Sequence, residues 1–173
     1  MATNVLRICS LNANGMRDHS KRAQLFTWLK IKKFDIVFLQ ETHCKSYSDS
    51  KLWEKKWGGS CFLSFDGSRS RGTCIIFRDD LPFTKQRFYY DAVGRLVLVD
   101  ASMYGSCYRL INVYAPNNHA ERIQWLNHDA MMLLFLSFGK MPCNIYNNLQ
   151  WTAIYMHWQV YVTKFTYNVT QSS

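Results

Sequence analysis

The chain has 173 residues, enough for one domain with a hydrophobic core of its own and short for two. Hydrophobic residues make up 48% of it and aromatics 16%, which excludes a disordered chain, and 21 Lys plus Arg against 12 Asp plus Glu leave a net charge of +9. That balance suits polyanionic partners such as nucleic acid or acidic membrane, although the basic residues are scattered rather than gathered in one run, so a merely solvated basic surface stays an alternative.

No stretch approaches the roughly 18 uninterrupted apolar residues of a membrane span, and Met1-Ala2-Thr3-Asn4-Val5 has no apolar signal core, so the expected place is intracellular. Cys9, Cys44, Cys61, Cys74, Cys107 and Cys143 include no Cys-x-x-Cys pair, which points to reduced thiols rather than a zinc site or a disulfide framework.

In chain order, Val5 to Leu11 reads as a strand that runs into the turn-forming Asn12-Ala13-Asn14-Gly15 and leaves Asn14 at the strand's C-terminal edge. Ser20 is a reasonable N-cap for a helix over Lys21 to Lys32, with Leu25, Trp28, Leu29 and Lys32 on one side. Asp35 to Gln40 is a nearly continuous apolar run, the pattern of a strand covered on both faces, and it delivers Glu41 at its end. Ser60 to Phe65, Gly72 to Arg78, Arg95 to Met103 and Tyr108 to Tyr114 read as antiparallel strands, set apart by turn sequences such as Asp66-Gly67 and Tyr104-Gly105-Ser106. After Ala115-Pro116-Asn117-Asn118, a helix is expected over Ala120 to Leu136, with Ile123, Leu126, Met131, Leu134 and Phe135 on its apolar side. From Ser137 the character changes to an aromatic-rich tail with no periodic pattern, and Asp129 is the last acidic residue.

Strand ends are where open α/β sheets hold reactive side chains, because the backbone is rigid and the next loop gives access. Three such ends carry polar groups: Asn14, Glu41, and Tyr114 with Asn117. Hard oxygen donors such as the Glu41 carboxylate and the Asn14 amide suit magnesium, which keeps several waters of its own. Taken alone, the two read more simply as a solvent-facing glutamate and a turn asparagine. His43, His119 and His157 have no zinc spacing and read as surface or locally bonded histidines, and His128-Asp129 reads as part of a solvated helix face.

The combination says more. Ser10-Leu11-Asn12-Ala13-Asn14-Gly15-Met16, Phe38-Leu39-Gln40-Glu41-Thr42-His43 and Ile111-Asn112-Val113-Tyr114-Ala115-Pro116-Asn117, in this order, together with Arg71-Gly72-Thr73-Cys74-Ile75-Ile76, resemble the endonuclease/exonuclease/phosphatase superfamily. Within it they resemble in particular the apurinic-type endonuclease domain of LINE-type retrotransposon reverse transcriptases.

The resemblance covers residues 5–136 and leaves 137–173 as a divergent tail. It implies an α/β fold, a four-layer α/β/β/α sandwich of the DNase I-like type, of which this chain holds the N-terminal half. It also implies a magnesium-dependent phosphodiester hydrolase, with manganese as the possible substitute ion, acting on DNA as a monomer in the nucleus, with no membrane and no protein partner. By the same resemblance Asn14 and Glu41 hold the metal, Tyr114 contacts the scissile phosphate or steadies the attacking group, and Asn117 contacts phosphate.

The family's Gly-Asp-x-Asn motif, a later aspartate and a terminal Ser-Asp-His have no counterpart in this sequence. Impaired turnover is therefore expected, as is a second sheet built mostly from the lacking half, with one apolar face left for the aromatic tail to cover. A non-catalytic nucleic-acid-binding relic is the first alternative, and a phospholipid or inositol phosphate phosphodiesterase the second.

Overall fold

The computed structural model describes residues 5–65, 67, 71–125, 150–156 and 160–166, the last two segments as backbone strands. The first sheet has the order β1-β2-β4-β3, from β1 (Ile8–Asn12), β2 (Ile36–Gln40), β3 (Cys61–Ser64) and β4 (Thr73–Phe77). β1 and β2 are parallel, with Ile8 beside Ile36 and Asn12 beside Gln40, and β4 runs antiparallel to β2 and β3. Helix α1 (His19–Lys32) makes the crossover between β1 and β2, and α2 (Tyr47–Trp57) joins β2 to β3.

The second sheet has the order β5-β6-β7-β9-β8, from β5 (Thr84–Tyr90), β6 (Leu96–Met103), β7 (Ser106–Val113), β8 (Gln150–Met156) and β9 (Val160–Thr166), every neighbour antiparallel. Side chains alternate between faces along each strand, and this sorts the core into layers. Ile36, Phe38, Ile75 and Phe77 of the first sheet meet Val97, Val99, Ala101, Met103, Tyr108 and Leu110 of the second. On the outer face of the first sheet, Val37, Leu39, Cys74 and Ile76 pack against Phe26 and Leu29 of α1 and Trp53 and Trp57 of α2. On the outer face of the second, Leu96, Leu98, Ile111 and Val113 take Tyr89 and Trp125, the last residue of α3 (His119–Trp125). The layers are thus helix, sheet, sheet, helix, as a sandwich of the DNase I-like type requires.

Several sequence expectations change. The N-cap of α1 is Asp18, whose Oδ1 accepts the Lys21 N–H at 2.7 Å, and Ser20 is already inside the helix. Its buried residues are Arg22, Phe26 and Leu29, whereas Trp28 lies 44% exposed. Arg22 can be buried because its Nη1 donates to the carbonyls of Met16 and Arg17 at 2.7 and 3.1 Å. Helix α2 was not expected. Its apolar signal is only Leu52, Trp53 and Trp57, but the two tryptophans at i and i+4 are both buried against the first sheet, and Trp57 Nε1 donates to the Phe77 carbonyl at 2.6 Å. In α3, Ile123 is 48% exposed rather than apolar-side. Leu126, His128, Asp129, Met131, Leu134, Phe135, Cys143 and His157 lie outside the described residues. Cys9, Cys44, Cys61 and Cys74 are free thiols, Cys107 Sγ lies 3.2 Å from Ser102 Oγ, and burial pushes the Cys44 thiol up to about 11.

The expectation for the second sheet is corrected too. Residues 84–113 supply β5, β6 and β7, and these already close the core between the sheets. Within the tail, 150–156 and 160–166 form strands that continue the sheet at its edge, Cys107 beside Phe165 and Asn112 beside Val160.

Candidate functional site

The site lies where β1, β2 and β7 end together, and its geometry starts with backbone. The β1/β2 pairing continues past both strands: Ala13 N–H donates to Gln40 O at 2.8 Å, Gly15 N–H to Glu41 O at 2.7 Å and Met16 N–H to Thr42 O at 2.9 Å. On the other side, Thr42 N–H donates to Gly72 O at 2.9 Å and His43 N–H to Arg71 O at 2.8 Å. The Glu41 segment is therefore held from both flanks. Asn14, Glu41 and His43 all take left-handed backbone, with φ of 45°, 51° and 56°. Non-glycine residues adopt that region at a cost of about 1–3 kcal/mol each, and they do so where the surrounding structure imposes it. Asn12 imposes it on Asn14 in part, since its Oδ1 accepts the Asn14 N–H at 2.8 Å, and Lys21 Nζ donates to the Asn14 carbonyl at 2.6 Å.

Gly72 has a φ of 108°, and a Cβ there would stand 2.4 Å from Thr42 Oγ1, so only glycine lets β4 approach this closely.

Tyr114 reaches the same place from the second sheet. Its hydroxyl donates to Glu41 Oε1 at 2.9 Å, a bond between residues 73 positions apart. Its backbone N–H donates to Arg95 O at 2.8 Å, its carbonyl accepts from Arg95 Nη1 at 3.1 Å, and the guanidinium lies over its ring, 5.8 Å from the centroid. Burial first, and then the Glu41 carboxylate, push the Tyr114 phenol above its ordinary value, while a side-chain bond with Asn117 opposes the rise. The phenol is thereby kept as a neutral donor at physiological pH. Burial and the charge of Arg71 push Arg95 below its ordinary value, so two guanidinium groups share this rim.

Of the residues singled out in the sequence, Glu41 and Tyr114 are brought into direct contact. Asn14 is joined to Glu41 through the Gly15 backbone bond, and Asn117 reaches the group through Tyr114. His43, read from the sequence as a surface or locally bonded histidine, is half-buried. Its ring stands where a Gly15 Cβ would meet Nδ1 at 2.8 Å, its Nε2 is buried with no hydrogen-bond partner, and burial lowers its pKa.

Sequence reasoning missed Arg95, and it gave no role to Gln40 or Asn112, which are 2% and 0% exposed. The signal for the last two was a polar residue in an inward position of an otherwise apolar strand. Among the described residues, no cluster of three or more His, Cys, Asp or Glu is arranged to hold a metal ion. Any ion here would rest on few protein donors.

The model of the Endonuclease/Exonuclease/phosphatase family matches residues 4–142. A curated relative, the Transposon TX1 uncharacterized 149 kDa protein of Xenopus laevis, is 31% identical over 122 residues, which is 69% of this chain and 9% of that protein. Among solved structures, an AP endonuclease from Archaeoglobus fulgidus is similar with a TM-score of 0.53 at 22% identity, over 79% of this chain and 53% of that one. Truncated TDP2 of Caenorhabditis elegans also gives 0.53, at 16% identity, over 84% and 59%. This chain therefore spans a small part of the curated relative and just over half of each solved structure.

Proposed function

The chain belongs to the Endonuclease/Exonuclease/phosphatase family, and from that premise we propose that the Glu41 and Tyr114 edge is the metal- and phosphate-facing part of a site that hydrolyses DNA phosphodiesters. The observation that carries this reading is the Tyr114 hydroxyl donating to Glu41 Oε1 across the two sheets. A tyrosine that orients a carboxylate by a hydrogen bond is the usual outer partner of a metal ligand.

Glu41 and Asn14 offer hard oxygen donors and no sulfur or nitrogen, a set that fits magnesium, or manganese in its place, with most of the coordination shell left as water. When bound, the ion supplies charge neutralisation on the phosphate and stabilises the leaving oxygen. The protein's own groups then bind and orient. The Tyr114 hydroxyl, whose one proton goes to Glu41, steadies that carboxylate beside the phosphate, Asn117 presents an amide donor to a phosphate oxygen, and the Arg71 and Arg95 guanidinium groups make the rim attractive to a polyanion.

Residues 130–173 contain no Asp or Glu that could deprotonate the attacking water. A well-placed base contributes a factor on the order of 10² to 10⁴, and residues 1–173 acting without one would turn over more slowly by that amount. The same observation, with the net charge of +9, favours a second reading in which the chain binds nucleic acid without cutting it.

A comparison of abasic duplex DNA with an inositol phosphate tests the substrate class. Binding of the duplex should weaken steeply as salt rises, through release of counterions, and the inositol phosphate should compete poorly. Tight, salt-insensitive binding of the inositol phosphate would move the reading to the small phosphate esters.

A further inference from the structure

The bond between Tyr114 and Glu41 joins two sheets that are held together for most of their contact by apolar side chains, and these do not fix a separation to a fraction of an ångström. Directly beneath it lies a different kind of contact. Asn112, fully buried on the inward face of β7, donates from Nδ2 to the carbonyl oxygens of Leu39 and Cys74 at 2.9 and 2.8 Å. Leu39 and Cys74 are register partners on β2 and β4, so one carboxamide grips both strands at the same level. Its Oδ1 accepts from Gln40 Nε2 at 2.7 Å, and Gln40 in turn reaches Ser10 Oγ on β1 at 3.3 Å. Both N–H groups of Asn112 and one lone pair of its oxygen are used, which also fixes which end of the amide is nitrogen.

The levers from this grip to the site are short. Tyr114 follows Asn112 by two residues on one sheet, and Glu41 follows Leu39 by two on the other. Gly72 precedes Cys74 by two, and its N–H donates to Gly94 O at 3.0 Å, a further tie between the segments leading into β4 and β6. A carboxamide buried at this cost to solvation is retained only where its bonds are made, and these bonds specify a distance between strands rather than merely filling space.

Taking the Glu41 and Tyr114 edge as the site, we propose that Asn112 is its positioning residue: the carboxamide sets the spacing of β7 from β2 and β4 and thereby holds the Tyr114 hydroxyl at the Glu41 carboxylate. Asn112 itself touches neither substrate nor metal. Its effect passes through Tyr114.

The test uses the whole chain labelled with 3-fluorotyrosine, with the Tyr114 fluorine resonance assigned by its loss in Tyr114→Phe. In the parent chain, Glu41→Gln should shift that resonance, because the acceptor of the phenol changes from carboxylate to amide. In Asn112→Leu, of similar volume but without hydrogen bonds, the Tyr114 resonance should move away from its parent position and lose its response to Glu41→Gln. Asn112→Asp keeps the shape and the bond from Gln40 but cannot, as a carboxylate, donate to Leu39 and Cys74, so it should behave like Asn112→Leu. Folding of each variant is read from amide protection of Ile75 and Val97.

A folded variant in which Tyr114 still answers to Glu41→Gln overturns the proposal, as does a parent chain in which no such response exists. If neither variant folds, Asn112 belongs to the stability of the core and not to the site. Because neither metal nor DNA enters the measurement, failure of the chain to cleave DNA leaves this result standing.

Discussion

At the scale of single residues, the site depends on what Glu41 meets. A carboxylate at the end of a strand covered on both faces is costly unless something satisfies it, and the Tyr114 hydroxyl does so from one side. If Glu41 is a ligand and Tyr114 orients it, Tyr114→Phe should weaken manganese binding by about tenfold, the usual effect of losing an outer partner, and Glu41→Gln should weaken it further. Titration calorimetry on the two variants measures both, and equal affinities for parent and Glu41→Gln would place the metal elsewhere. The positions of Glu41 and Tyr114 at strand ends were legible in the sequence because strand ends are recognisable and the motifs around them are ordered. The contact between them was not, since it spans 73 positions and depends on how two sheets face each other. The burial of His43 Nε2 was hidden for a related reason: it follows from the left-handed backbone at His43 and the bare Gly15 opposite its ring.

Among the elements, β2, β3, β4, β6 and β7 were readable from β-branched and aromatic runs between turn sequences. Helix α2 and strand β5 were not. The first hides two buried tryptophans among polar residues, and the second is an edge strand whose burial alternates weakly, with Thr84, Lys85 and Gln86 exposed.

The pairing of β6 with β7 also contains a buried ion pair that no local pattern announced: Arg109 donates from Nε and Nη2 to the two oxygens of Asp100 at 2.7 and 2.8 Å. Both residues are almost fully buried, and they sit opposite each other in the register. Arg109→Met would leave the Asp100 carboxylate buried without its bidentate partner, a loss of about 3–5 kcal/mol, whereas the double change Arg109→Met with Asp100→Leu should recover most of it. Urea unfolding of the single and double variants measures this, and additive losses would show that the two residues do not act as a pair.

For the whole molecule, the core between the sheets is closed by strands within residues 36–113, and the tail strands join at the edge of β7. Deletion of residues 150–173 should therefore keep the amides of Ile75 and Val97 protected from exchange, and should expose those β7 amides that pair with β9. Loss of protection at Ile75 and Val97 would instead make the tail part of the central core. The proposed meeting of a polyanion with the Glu41 and Tyr114 edge rests on the net charge of +9, the two guanidinium groups at the rim and the contact of the two sheets there.

The most direct test of that account is nicking of supercoiled plasmid and of an abasic duplex by the purified, folded chain, with magnesium or with EDTA, beside Glu41→Gln. The result it predicts is slow, magnesium-dependent cleavage that disappears in EDTA and in Glu41→Gln. Cleavage that persists in Glu41→Gln, or no cleavage by either substrate from folded protein, would contradict it.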